Sequence, residues 1–96
     1  MQRRFKVIFS PPALRDIERL ETDTALKLAK DIKSYLEQSP FPIGKRRIKK
    51  LTGYHPPLYR LRSGDHRTYY RILSESVVIL AITHKKESEK LLRRVK

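Results

Sequence analysis

Leu58-Tyr59-Arg60-Leu61-Arg62-Ser63-Gly64-Asp65-His66-Arg67-Thr68-Tyr69-Tyr70-Arg71-Ile72-Leu73 is the stretch that decides the fold. Runs rich in aromatic and apolar residues flank Gly64-Asp65, a turn pair, so it reads as strand Leu58–Ser63, turn, and strand Arg67–Leu73. Side chains alternate across a strand. Arg60 and Arg62 therefore share one face of the first strand, with Tyr59 and Leu61 on the other. On the second strand Arg67, Tyr69 and Arg71 share a face opposite Thr68, Tyr70 and Ile72. If the arginine faces coincide, four guanidiniums and a tyrosine line one surface. Tyr59, Leu61, Tyr70 and Ile72 are left for the core. A charge buried without a partner is costly. The arginine surface is therefore expected to be open to water or filled by an anion.

The flanking sequence supplies the rest of an α+β domain. Towards the C-terminus, Val77–Ile82 is continuously apolar and predicts a strand covered on both sides. His84–Arg94, rich in Lys, Glu and Leu, predicts a terminal helix. Towards the N-terminus, Phe5, Val7 and Phe9 alternate in an opening strand. Ser10 is a ready N-cap and Pro11 suits a first helical position, so a short helix is expected over about 11–20. Ala25, Leu28, Ala29, Ile32, Tyr35 and Leu36 form one apolar stripe of a longer helix, capped by Thr22 or Asp23 and stopped at Ser39-Pro40. Residues 43–57 read as a loop. The predicted order is β-α-α-β-β-β-α. An N-terminal strand and a helical hairpin pack on an antiparallel sheet, in one domain spanning 1–96.

Composition narrows the function. The chain has 96 residues, 39% of them hydrophobic, enough for one small core. It has no cysteine, which excludes disulfides, thiolate metal sites and thiol nucleophiles. No apolar run of about 18 residues is present to span a membrane. No secretion leader is read at the start, so a cytoplasmic location is expected, with no membrane partner. The formal net charge is +13, and it is segregated. Residues 11–40 carry a net of −1 and the remainder +14. The densest run is Lys45-Arg46-Arg47-Ile48-Lys49-Lys50. Such segregation points to a polyanion, and nucleic acid is favoured because the basic residues avoid amphipathic helices. Guanidinium is well shaped to hold phosphate at two points, and Tyr69 could stack on an unpaired base.

The 58–70 stretch resembles the central signature of the RelE/ParE toxin superfamily, of the form Y-R-(apolar)-R-x-G-D-(aromatic)-R-x-x-Y. The early strand, the helical hairpin and Ile82-Thr83-His84-Lys85-Lys86-Glu87 after the last strand also match, so the resemblance covers nearly the whole chain. The short hairpin and the basic sheet look more like the RelE branch. That resemblance implies a RelE-like fold and a toxin of a type II toxin–antitoxin system. It further implies an endoribonuclease that cuts messenger RNA on the ribosome and is neutralised by an acidic, partly disordered antitoxin.

By that resemblance Arg60 and Arg62 hold the RNA phosphate, Arg67 stabilises transition-state charge, and Lys86 is a second basic site residue. Lys45, Arg46, Arg47, Lys49, Lys50, Tyr69, Arg71 and Lys85 are expected to bind RNA. The sequence departs from the family at Glu89, where a tyrosine is usual, and at His66, which replaces an aromatic. RNA can be cut without metal when its 2′-hydroxyl attacks the adjacent phosphate. The arginines supply charge, but a base is also needed. His66, His84, Lys85, Lys86 and Glu89 are the candidates. His84 is favoured because histidine as a residue type suits proton transfer near neutrality and because it precedes the Lys85-Lys86 pair, although it could instead cap the last helix. Asp65, Glu75, Glu87 and Glu89 form no carboxylate pair at ligand spacing, so no metal or other cofactor is expected. Two other readings stand beside the nuclease. One is a ParE-like inhibitor of DNA gyrase, the other a catalytically inactive RNA- or ribosome-binding domain.

Overall fold

Ser10 is where strand gives way to helix in the computed structural model, which describes residues 4–44, 46–88, 90 and 92. Strand β1 (Lys6–Phe9) ends there, and the Ser10 hydroxyl accepts the N–H of Ala13 at 3.3 Å, capping α1 (Pro11–Glu18) as expected. Helix α2 (Thr22–Gln38) follows a three-residue turn, so the two helices form a hairpin. Its N-cap is Glu21, with no side-chain cap bond, rather than Thr22 or Asp23. Leu28, Ile32 and Leu36 are the buried spine of its stripe. Pro40, fully buried, stops the helix, and its carbonyl accepts the Tyr70 hydroxyl at 2.7 Å.

The strands form one five-stranded sheet in the order β1-β5-β4-β3-β2. β3 (Leu58–Ser63), β4 (His66–Leu73) and β5 (Ser76–His84) form the expected meander. β1 runs parallel to β5, so the sheet is mixed rather than wholly antiparallel. β2 (Ile48–Leu51) is a strand where a loop was expected, antiparallel to β3. It lies at the sheet edge, where lysines block further pairing and mask the strand pattern. The helices cover one face. Ala13, Leu28, Ile32 and Leu36 pack there on Ile48, Leu61, Tyr70, Val77, Ile79 and Ile82. Tyr59 and Ile72 join this core from its margin, as the alternation predicted.

β5 corrects a second expectation. Val78 and Leu80 are only half-buried, so the strand is not covered on both sides. The register jumps at its middle. Tyr70 pairs with Ile79, but Tyr69 pairs with Ala81, leaving Leu80 as an extra residue. Such a bulge shifts the alternation by one. Val77 and Ile79 before it, and Ile82 after it, all reach the helix side. Neighbouring groups satisfy this segment. Ser10 donates its N–H to the Ile79 carbonyl at 3.0 Å and its hydroxyl to the Leu80 carbonyl at 3.4 Å, and the Asp16 carboxylate accepts the Ile82 N–H at 2.9 Å.

A 3-10 turn, Lys85–Glu87, follows β5, and Ser88, Lys90 and Leu92 are helical. The rest of the expected terminal helix lies outside the described residues. Among the described residues no helix is long and apolar enough to cross a membrane.

Candidate nucleic-acid interface

Cross-strand register builds the basic surface. Arg60 pairs with Tyr69 and Arg62 with Arg67, so the arginine faces of β3 and β4 coincide. Arg71 shares that face two residues beyond Tyr69, at the end away from the turn. β2 adds Lys49, directly opposite Arg60. The face points away from the helices. Arg62 is exposed there, whereas Arg60, Arg67 and Arg71 are half-buried. None of these four arginines forms an ion pair with a carboxylate among the described residues. The Nε atoms of Arg60 and Arg71 are buried without a hydrogen-bond partner among them.

Arg67 is the most constrained of the set. Its Nη1 donates to the Gly64 carbonyl at 2.9 Å and to the His66 carbonyl at 3.1 Å, folding the guanidinium over the β3–β4 turn. Burial, then the neighbouring Arg60 and Arg62, hold Arg67 below the usual guanidinium range. Burial is the larger cause, and the lesser one, the charge of Arg60 and Arg62, marks an end of the sheet where an anion is favoured. Tyr69 departs from expectation. It is fully buried, so its ring cannot stack on an incoming base in this conformation. Its hydroxyl is buried with no hydrogen-bond partner among the described residues.

The turn after β3 meets the exit of β5. The Lys85 N–H donates to the Asp65 carbonyl at 2.7 Å, and its ammonium lies 3.4 Å from the Asp65 carboxylate. Lys85 holds the Asp65 carboxyl below its ordinary value, by hydrogen bond and by charge. Lys86 is exposed on the next residue of the 3-10 turn. His84 is not brought to the arginines. It pairs in register with His66, their rings 5.9 Å apart, and both alternate onto the helix-bearing side with Thr68 and Ile82. Its Nδ1 accepts the Lys86 N–H at 3.2 Å, so it caps the 3-10 turn. The bulge at Leu80 is the reason. Without that extra residue, a strand with Val77 in the core would turn His84 to the arginine face.

The basic run divides. Lys49 joins the arginine face, whereas Lys50 pairs with Tyr59 and alternates away from it. Arg46 and Arg47, with Arg62, Gly44 and Gly64, line an open depression of about 500 Å³. The Arg47 guanidinium sits over the Tyr35 ring, 4.2 Å from its centroid. The sequence marks Tyr35 only as a stripe residue, because a cation–π partner from another element leaves no local signal. Lys45 and Glu89 lie outside the described residues. Among the described residues, no three His, Asp or Glu side chains are grouped to hold a metal ion.

A half-open sheet face bearing Lys49, Arg60, Arg62 and Arg67, positioned by strands rather than by loops, has the chemistry to hold phosphate. The comparisons agree with this architecture. Residues 7–89 match the family model described as the ParE toxin of type II toxin–antitoxin systems, parDE. The chain belongs to that ParE/RelE toxin family. It superposes on the structure of the RelBE2 toxin–antitoxin complex from Mycobacterium tuberculosis with a TM-score of 0.71 and 26% identity, over 88% of this chain and 94% of that one. For the RelE–RelB complex from Pyrococcus horikoshii the values are 0.68 and 24%, over 88% and 97%. For the isolated RelE toxin of E. coli they are 0.64 and 19%, over 94% and 98%. No curated protein matches the chain in sequence. The fold is thus that of the RelE toxins, and the chain is a toxin of the toxin–antitoxin type.

Proposed function

We propose that this toxin is an endoribonuclease that cuts messenger RNA, presented by the ribosome, and so stops translation. The observation that carries the reading is the convergence of Arg60, Arg62 and Arg67 on one half-open face, with no carboxylate partner among the described residues. In this mechanism the RNA 2′-oxygen attacks the adjacent phosphorus and its proton leaves to water. The 5′-oxygen departs, and a 2′,3′-cyclic phosphate remains. Negative charge builds on the non-bridging oxygens as the new bond forms. Guanidiniums already fixed around them stabilise that charge more than they stabilise the substrate. Lys49 and Arg60 hold the phosphate, and Arg67, locked to the turn, faces the developing charge.

Lys86 replaces His84 as the proton-transfer group in this account. An exposed ammonium is a donor to the departing 5′-oxygen, whereas His84 lies on the other side of the sheet with Nδ1 engaged. An acidic antitoxin is the expected protein partner. The relatives from M. tuberculosis and P. horikoshii were solved as complexes with an antitoxin, and a net charge of +13 favours an acidic chain. The test is incubation with ribosomes carrying a defined message, followed by mapping of RNA ends. Cuts within the message bearing cyclic phosphates support the reading; an intact message refutes it. A second reading, inhibition of DNA gyrase, is favoured by the matched family model being that of ParE toxins. Loss of supercoiling activity by purified gyrase, without RNA cleavage, would select it.

A further inference from the structure

The depression lined by Gly44, Arg46, Arg47, Arg62 and Gly64 lies at the edge of the arginine face rather than on it. Arg62 belongs to both. It pairs with Arg67 across the β3–β4 ladder and also lines the depression. Arg46 and Arg47 are exposed and have no carboxylate partner among the described residues. Two of the lining residues are glycines with positive φ, 69° at Gly44 and 57° at Gly64, and nothing stands within 4 Å of where a Cβ would lie. At these two positions the wall is bare backbone, and a ligand can approach it closely.

Arg47 is pre-oriented. Its guanidinium rests on the ring of half-buried Tyr35, which packs against the core from α2. A stacked guanidinium keeps its edge N–H groups free to donate in the ring plane and has lost less freedom to lose on binding. Three unpaired guanidiniums around a concave, backbone-walled surface suit a phosphate better than a carboxylate side chain. Phosphate offers more acceptor oxygens, and the depression is continuous with the face that handles the scissile phosphate.

We propose that Arg46, Arg47 and Arg62 form a second phosphate subsite, which holds a phosphate of single-stranded RNA next to the one being cut, with Tyr35 as the positioning residue for Arg47. The proposal rests on the RNA reading above and deepens it. The substrate is a strand of at least several nucleotides, gripped through its backbone and not read by base at this point.

The test uses oligonucleotides of two and six residues whose 2′-oxygens are methylated, so that they bind without being cut. Affinity is followed by fluorescence anisotropy across a series of KCl concentrations. Arg47→Ala and Tyr35→Leu should each weaken hexamer binding about tenfold, equally for oligo-A and oligo-U, and flatten the salt dependence by about 0.7 in log–log slope for the one phosphate lost. Dinucleotide binding should be unchanged, and Tyr35→Phe, which keeps the ring, should behave as wild type. Arg47 is exposed, so its substitution tests the subsite even if Tyr35→Leu fails to fold. Hexamer binding equal to wild type in Arg47→Ala overturns the subsite and leaves the nuclease reading standing. A wild-type protein that binds no oligonucleotide also overturns the subsite, and the nuclease reading is then decided by the ribosome assay alone. If the variants lose affinity for hexaglutamate yet keep it for the RNA hexamer, the depression belongs to an acidic protein segment and the proposal fails.

Discussion

Tyr70 joins the sheet to the end of the helical hairpin through one buried hydrogen bond, and Tyr70→Phe removes that bond alone. The ring is fully buried and stacks on Tyr59 at 5.5 Å and 17°, a contact that phenylalanine keeps. The lost hydroxyl leaves the carbonyl of Pro40, itself buried, without its donor at 2.7 Å. Stranding a buried acceptor, partly offset by no longer desolvating the hydroxyl, should cost about 1.5 kcal/mol. For a domain of this size that lowers the melting temperature by about 6–12 °C. Urea unfolding near neutral pH measures the difference directly. The pH dependence provides a second reading. Burial, and then Tyr59, push the Tyr70 phenol above its ordinary value. The folded chain therefore keeps a proton that the unfolded chain loses. This contribution is complete below the unfolded phenol value of about 10, and it declines as pH rises from there towards the folded value, by up to about 1.4 kcal/mol per unit. The variant lacks it, so the gap between wild type and Tyr70→Phe should narrow above about pH 10. A variant as stable as wild type near neutrality, or a gap that widens in alkali, would refute the reasoning.

Further outcomes follow from other contacts. Ser10→Ala removes the α1 cap and a bond to the bulged segment, and should cost about 1 kcal/mol by chemical denaturation. Asp16→Ala leaves the Ile82 N–H without an acceptor and should cost about 1–3 kcal/mol, while Asp16→Asn, which keeps an oxygen there, should cost less. The Asp65 carboxyl should titrate below its ordinary value by NMR and move back up in Lys85→Met. Because that value is depressed, its small stabilising share is present above the unfolded value and is lost as pH falls through the folded one. Both groups are exposed, so Lys85→Met should leave the melting temperature nearly unchanged.

Much of this architecture is legible in residue order because it rests on local rules. Ser10-Pro11 announces a helix start, the stripe from Ala25 to Leu36 announces a buried helix face, and period two in 58–73 sorts four arginines from the core. What the sequence hides depends on partners distant along the chain. β2 is unreadable in Lys49-Lys50, because an edge strand owes its existence to pairing with β3 and not to its own apolar residues. The placement of His84 turns on one bulged residue, and bulges follow from how a strand fits its neighbours. Tyr69 has the alternation of a surface residue, yet it is fully buried, since alternation gives a face and not its cover. The Tyr35–Arg47 stack joins α2 to the approach of β2, two segments with no shared local pattern.

The most direct test of the central claim is the single-turnover cleavage rate of ribosome-bound message by wild type and by Arg67→Ala, each shown to be folded. Arg67 is half-buried and its bonds are confined to its own turn, so the substitution spares the core. Loss of a fixed donor aimed at developing charge should slow cleavage by about 10²–10³-fold. Cleavage by Arg67→Ala at the wild-type rate would mean that the crowded guanidiniums of β3 and β4 do not stabilise the reacting phosphate.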